Sequence, residues 1–136
     1  MIIGIDPGSR RVGVAAADDE TKIARPVEVI DVKEIDPAER VAALVDELGA
    51  RLVVVGRPTG LSGVAGPAVA AQQELVELLR SRLAVEVVEY DERLTTVLAD
   101  RAMAASGARR NARKTMRDAV AAQVMLQGYV DSEAGR

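Results

Sequence analysis

The stretch MIIGIDPGSRRVGVAAA, residues 1–17, sets the architecture. Ile2–Asp6 is a short apolar run stopped by the turn signal Pro7-Gly8-Ser9, and Arg11–Ala17 follows with Val12 and Val14 alternating with smaller residues. Asp18-Asp19-Glu20 is a polar tip, after which residues 23–30 form a third run whose Pro26 assigns it to a sheet edge, because proline cannot donate to a ladder. Short apolar runs joined by tight turns predict a three-strand antiparallel meander.

Past residue 35 the period changes. Asp36-Pro37-Ala38-Glu39 reads as a helix start, with an Asp cap and Pro in the first helical position. Val41, Leu44, Val45 and Leu48 supply one apolar face, and Gly49 ends the helix. Leu52–Val55 is a continuous apolar run suited to a strand buried on both faces. Gly56 to Pro67 is a loop, and Pro67 opens a helix carrying Val69, Leu75, Val76, Leu78 and Leu79. Val85–Val88 reads as a second buried strand. A third helix is expected from about Thr95 to Ser106, a basic loop over Gly107–Lys114, and a final helix from about Thr115 to Tyr129 with Ala119, Val120, Gln123, Val124 and Leu126 inward. The order predicts a single α/β domain over residues 1–136. It would be a five-stranded mixed sheet, an antiparallel meander plus two parallel strands, with helices on its faces.

Composition narrows the chemistry. The 136 residues contain no Cys, no His, no Trp and no Phe. That excludes a disulfide framework, a thiol nucleophile, a zinc ribbon, a Ser–His triad and any imidazole base or ligand. Two Tyr are the only aromatics, so the core must be built in thin layers of Ala, Val, Leu and Ile, and base stacking on aromatic platforms is disfavoured. No apolar run is long enough to span a membrane, and charges arrive too early for a signal peptide, which gives a cytoplasmic expectation.

Among 21 acidic residues, position selects three. Asp6 closes an apolar strand, where an uncompensated carboxylate is costly, though it also suits a turn with Pro7-Gly8. Glu92 follows the last apolar strand at its carboxyl end, where a plain surface charge is equally ordinary. Asp118 stands one turn into the expected final helix, where complementing the helix dipole would suffice. Taken together they are more informative. Ligands of open α/β sheets bind outside the carboxyl ends of strands. If the first and last strands are near neighbours, Asp6 and Glu92 share a rim that the final helix can reach with Asp118. Three carboxylates without His form an oxygen-only set suited to Mg²⁺ or Mn²⁺, with Asp91 as an outer or alternative ligand. Such clusters clamp phosphoryl transfer.

Arg109, Arg110, Arg113, Lys114 and Arg117 form a run of five cations with no acid between them, immediately before Asp118. Arg10 and Arg11 follow Asp6. A solvated helix face would explain such a run, and so would a phosphate clamp. The chain carries 18 basic and 21 acidic residues; without those five cations the balance is 13 against 21, so charge is segregated rather than evenly mixed.

Four stretches resemble the YqgF family, also called RuvX-type, Holliday-junction-resolvase-like proteins or pre-16S rRNA nucleases. They are Ile5–Ala15, Val54–Pro58, Tyr90–Thr96 and Arg117–Ala122, in order along nearly the whole chain, and Asp91-Glu92-Arg93-Leu94-Thr95-Thr96 is the most specific. The resemblance implies a ribonuclease H-like fold and metal-dependent phosphodiester hydrolysis, with the family's acids falling on Asp6, Glu92 and Asp118. It implies a nuclease for structured RNA, such as precursor rRNA, or for branched DNA, working as a monomer or a two-fold homodimer. Ser9 and Arg10 would stand near the scissile group, with Arg11 and the later cations on phosphates. Three features depart from the family pattern: Arg57 where an apolar residue is usual, Leu61-Ser62-Gly63-Val64 where an Asp-Gly-Thr-Glu-like stretch is common, and Asp118-Ala119 in place of Asp-Ser. Two other readings compete. One is an actin-like phosphotransferase, since Ile5–Ser9 resembles that superfamily's first phosphate loop; the other is a non-catalytic module binding RNA, the ribosome or a transcription complex.

Overall fold

The computed structural model describes residues 1–8, 10–57, 67–91 and 110–134. Its strands are β1 (Ile2–Pro7), β2 (Arg11–Ala17), β3 (Ala24–Asp31), β4 (Leu52–Arg57) and β5 (Glu86–Asp91). The helices are α1 (Pro37–Leu48), α2 (Pro67–Arg82) and α3 (Arg110–Ala134). The sheet runs β3-β2-β1-β4-β5, antiparallel across the first three strands and parallel from β1 through β4 to β5. This is the expected mixed sheet, with one refinement: β1 and β5 are not adjacent, because β4 lies between them.

Local chemistry accounts for the element ends. Asp36 caps α1, its Oδ1 accepting the Ala38 N–H at 3.1 Å, with Pro37 just inside. Gly49 closes that helix in the left-handed region at φ 64°, a conformation that costs glycine little. Pro26 lies on the edge strand β3, at a bulge where the β2 pairing passes from Val14–Glu28 to Ala15–Pro26. There its missing donor disrupts nothing.

The two faces of the sheet differ in thickness. Towards α1 and α2 point Ile3, Ile5, Val12, Val14, Ile30, Val53 and Val55, all buried among Val41, Leu44, Leu75, Val76 and Leu79. Towards α3 the meander presents small residues, Gly4, Gly13, Ala15, Ala17 and Ala24, against Ala122, Met125, Leu126 and Val130. Small side chains on the strands, with Ala119 and Ala122 on the helix, let the helix lie close to the sheet.

β1, β3 and β4 differ from the sequence reading by one or two residues, β4 running on to Arg57 where a loop was expected from Gly56, and two elements differ further. β5 is Glu86–Asp91 rather than Val85–Val88. The final helix starts at Arg110, so most of the stretch read as a basic loop is its first turns, and it continues to Ala134. The cations themselves had suggested a loop; a packed downstream half instead propagates the helix back through residues of good helical propensity. The helix expected over 95–106 lies outside the described residues. No helix among the described residues is long and apolar enough to cross a membrane.

Candidate active site

Asp6 is the penultimate residue of β1, half-buried, and pairs directly with Gly13 on β2. Directly opposed residues of an antiparallel pair project to the same face, with Cβ atoms roughly 4.5–5.5 Å apart. That face is the one under α3: a Cβ built on Gly13 would lie 1.9 Å from the Asp118 carbonyl oxygen. The helix backbone at Asp118 therefore sits on the strand position facing Asp6. Asp6 and the Asp118 backbone, 112 positions apart in the sequence, are thus brought to one face of the sheet at the carboxyl end of β1.

The parallel register carries the geometry across the sheet. Ile5 is level with Val55, and Val55 with Glu89, so β1, β4 and β5 end at the same edge, at Pro7, Arg57 and Asp91. Asp91 is the last residue of β5. Glu92, the next residue, lies outside the described residues, as do Ser9 and Arg109. Among the described residues no three acidic side chains lie close enough to share a cation. The pair that is brought together is Asp6 with Asp118.

The longer α3 also weakens the ordinary explanation of Asp118. Charge complementation of a helix dipole falls off within the first turn, and Asp118 stands eight residues after Arg110. The first turn instead holds no acid, and the spacing of 110, 113, 114 and 117 puts those positions along one side of the helix. Cations at a helix N-terminus oppose its dipole, an arrangement that a bound anion relieves. Arg117 is exposed at the end of this row, and Arg10 and Arg11 are exposed where β2 begins.

Gly13 escaped the sequence reading, where it counted only as a small residue between valines. A glycine inside a strand pattern signals close backbone approach, and that was the available clue. Gln72 was also missed. It is fully buried on α2 and donates to the Glu89 carboxylate at 2.8 Å, while its Oε1 has no partner among the described residues. A cleft of about 380 Å³ opens at the same sheet edge, lined by Pro7, Gly8, Val12, Asp36, Glu74 and Leu78. It lies on the α1–α2 side of β1, the opposite face from Asp6 and Asp118. Tyr90 and Tyr129 pack edge-on at 5.6 Å between β5 and α3, as part of the core rather than as a stacking platform.

A family model described as RuvX, Holliday junction resolvase, matches residues 1–132. The chain belongs to the RuvX family. Relatives of this RuvX chain include a "Putative pre-16S rRNA nuclease" of Chloroflexus aggregans, 41% identical and covering 96% of this chain and 93% of the relative. Another of that name, from Bacillus cytotoxicus, is 39% identical over 97% and 98% of the two chains. Among solved structures, Thermus thermophilus RuvC in complex with Holliday junction substrate superposes with a TM-score of 0.60, covering 98% and 95% of the two chains at 19% identity. The fowlpox virus Holliday junction resolvase reaches 0.61 at 10% identity, covering 97% and 98%. The RuvX chain thus has the ribonuclease H-like fold, and its family is one of nucleases.

Proposed function

We propose that this RuvX-family chain is a metal-dependent endonuclease of the cytoplasm that trims the 5′ end of precursor 16S rRNA, its whole length forming one domain. The convergence of Asp6 and Asp118 across Gly13, at the carboxyl end of β1, carries the reading. Glu92 joins the set by its position directly after β5, with Asp91 as an alternative or outer ligand. The donors are all carboxylate oxygens, which suits Mg²⁺ or Mn²⁺. Divalent cations held there supply Lewis acidity and a water acidified enough to attack phosphorus near neutral pH.

The protein's own part is to hold, orient and neutralise. Asp6 projects from a strand paired on both sides, so its carboxylate is held by the sheet rather than by a loop. Asp118 is carried by a helix that starts eight residues earlier, and the cations of those turns, Arg110, Arg113, Lys114 and Arg117, engage substrate phosphates. Arg109, next to them in sequence, is assigned the same role. Arg10 and Arg11, at the start of β2, approach the scissile phosphate, with Ser9 beside them in sequence. Water acidified by such cations needs no side-chain general base, which fits a chain without His.

The test is cleavage of RNA bearing the structured 5′ leader, run beside a four-way DNA junction, in Mg²⁺ and in Mn²⁺. RNA cleavage is expected, and Asp6→Asn should slow it by more than about 100-fold, since even outer-shell changes at metal sites cost 10–100-fold. Unchanged cleavage by Asp6→Asn removes the proposed site. The family's resolvase description favours a second reading, action on branched DNA, and cleavage of the junction alone would establish it. Salt-sensitive RNA binding with no cleavage under any metal would mark a non-catalytic binding module instead.

A further inference from the structure

The contact that joins the two aspartates is unusual in kind. A Cβ at position 13 would meet the Asp118 carbonyl oxygen at 1.9 Å, its carbon at 2.4 Å and the Ala119 nitrogen at 3.0 Å. All three are helix backbone and cannot rotate aside. At Gly4, further down the same interface, the nearest atom to an added Cβ would be Leu126 Cβ, at 2.8 Å. That atom is fixed to the helix as well, but a shift of only about 0.6 Å restores 3.4 Å there. To regain an ordinary contact of 3.4 Å at position 13, α3 would have to lift by about 1.5 Å.

Because Gly13 is paired with Asp6, such a lift carries the Asp118 backbone away from Asp6. We infer that Gly13 is a positioning residue: its missing side chain sets the Asp6–Asp118 separation, and through it the affinity of the site for divalent cations. The inference rests on the metal-site reading above. Magnesium demands near-ideal octahedral geometry at 2.0–2.1 Å, so a shift of about 1.5 Å is not absorbed by the ion. A glycine retained for packing alone would give a different result, since its loss would cost stability and leave the metal site as it was.

Calorimetric titration with Mn²⁺, in the absence of nucleic acid, separates the two, with folding of each variant checked by circular dichroism. Gly13→Ala should weaken Mn²⁺ binding by at least about tenfold, as losses of metal-site support do, while Gly4→Ala, whose smaller displacement falls about two turns along the helix from Asp118, should weaken it far less. One extra methylene spans about 1.5 Å. Adding Asp118→Glu to Gly13→Ala should therefore recover part of the lost affinity. Wild-type affinity in Gly13→Ala overturns the inference. If Gly13→Ala does not fold, Asp118→Glu in the wild-type background decides: weaker Mn²⁺ binding supports a separation set for aspartate, and unchanged binding overturns it. A wild-type chain that binds no Mn²⁺, or that binds it equally well after Asp6→Asn, defeats the metal-site reading rather than the role of Gly13 within it.

Discussion

Single residues do separable jobs in this molecule, and the clearest structural one is Asp18. Its exposed carboxylate accepts the Thr21 N–H at 3.1 Å and the Glu20 N–H at 2.7 Å, closing the β2–β3 turn. Those two backbone bonds, Thr21's first, hold its carboxyl below the usual aspartate value. A carboxyl lowered on folding stabilises the native state at pH above its unfolded value, and that contribution is lost as pH falls through the folded one. Asp18→Ala should therefore unfold at lower urea than wild type near neutrality, with the gap closing in acid below about pH 4. Urea melts across pH check this. A gap constant with pH would assign the effect to turn propensity and not to charge.

At the scale of elements, α3 combines two functions along its length. Its later half is fastened to the edge strand by side chains: Gln127 accepts the Ala24 N–H at 2.8 Å and donates to the Lys22 carbonyl at 2.9 Å, and Gln123 donates to the Ala24 carbonyl at 3.2 Å. Gln127→Ala leaves a half-buried backbone donor without its partner and should cost about 1–3 kcal/mol in chemical denaturation. The early turns carry cations where the helix dipole disfavours them. If they hold phosphates, Arg113→Ala should weaken RNA binding and lower the slope of log K against log salt by about one. An unchanged salt slope would return that face to ordinary solvent exposure.

For the whole molecule, the unequal faces of the sheet divide stability from chemistry. Leu79, fully buried on the thick α1–α2 side, is remote from the paired aspartates. Leu79→Ala should cost about 2–5 kcal/mol, the range for large-to-small changes in a packed core. It should leave Mn²⁺ affinity intact in the folded protein. The same truncation at Leu126 acts on the thin α3 side and is expected to impair both. Equilibrium unfolding paired with metal titration tests this division.

Much of this was legible in the chain. Alternation in Val12 and Val14, the Asp36-Pro37 cap, Gly49 and the edge-strand Pro26 each act within a few residues, so the meander, α1 and the strand order class could be read locally. The absence of His and Cys pointed any metal site to oxygen ligands before a fold was known. What tertiary structure decided was non-local. Arg110–Lys114 read as a loop because nothing nearby demanded a helix; packing downstream of Asp118 did. β4 entered between β1 and β5 because a parallel order follows from crossovers and not from neighbouring residues. Gly13 gained its meaning only when α3 came to rest on it. Local patterns dictate elements, whereas the spacing of Asp6 and Asp118 depends on how closely two distant backbones can approach, and one absent side chain sets that distance.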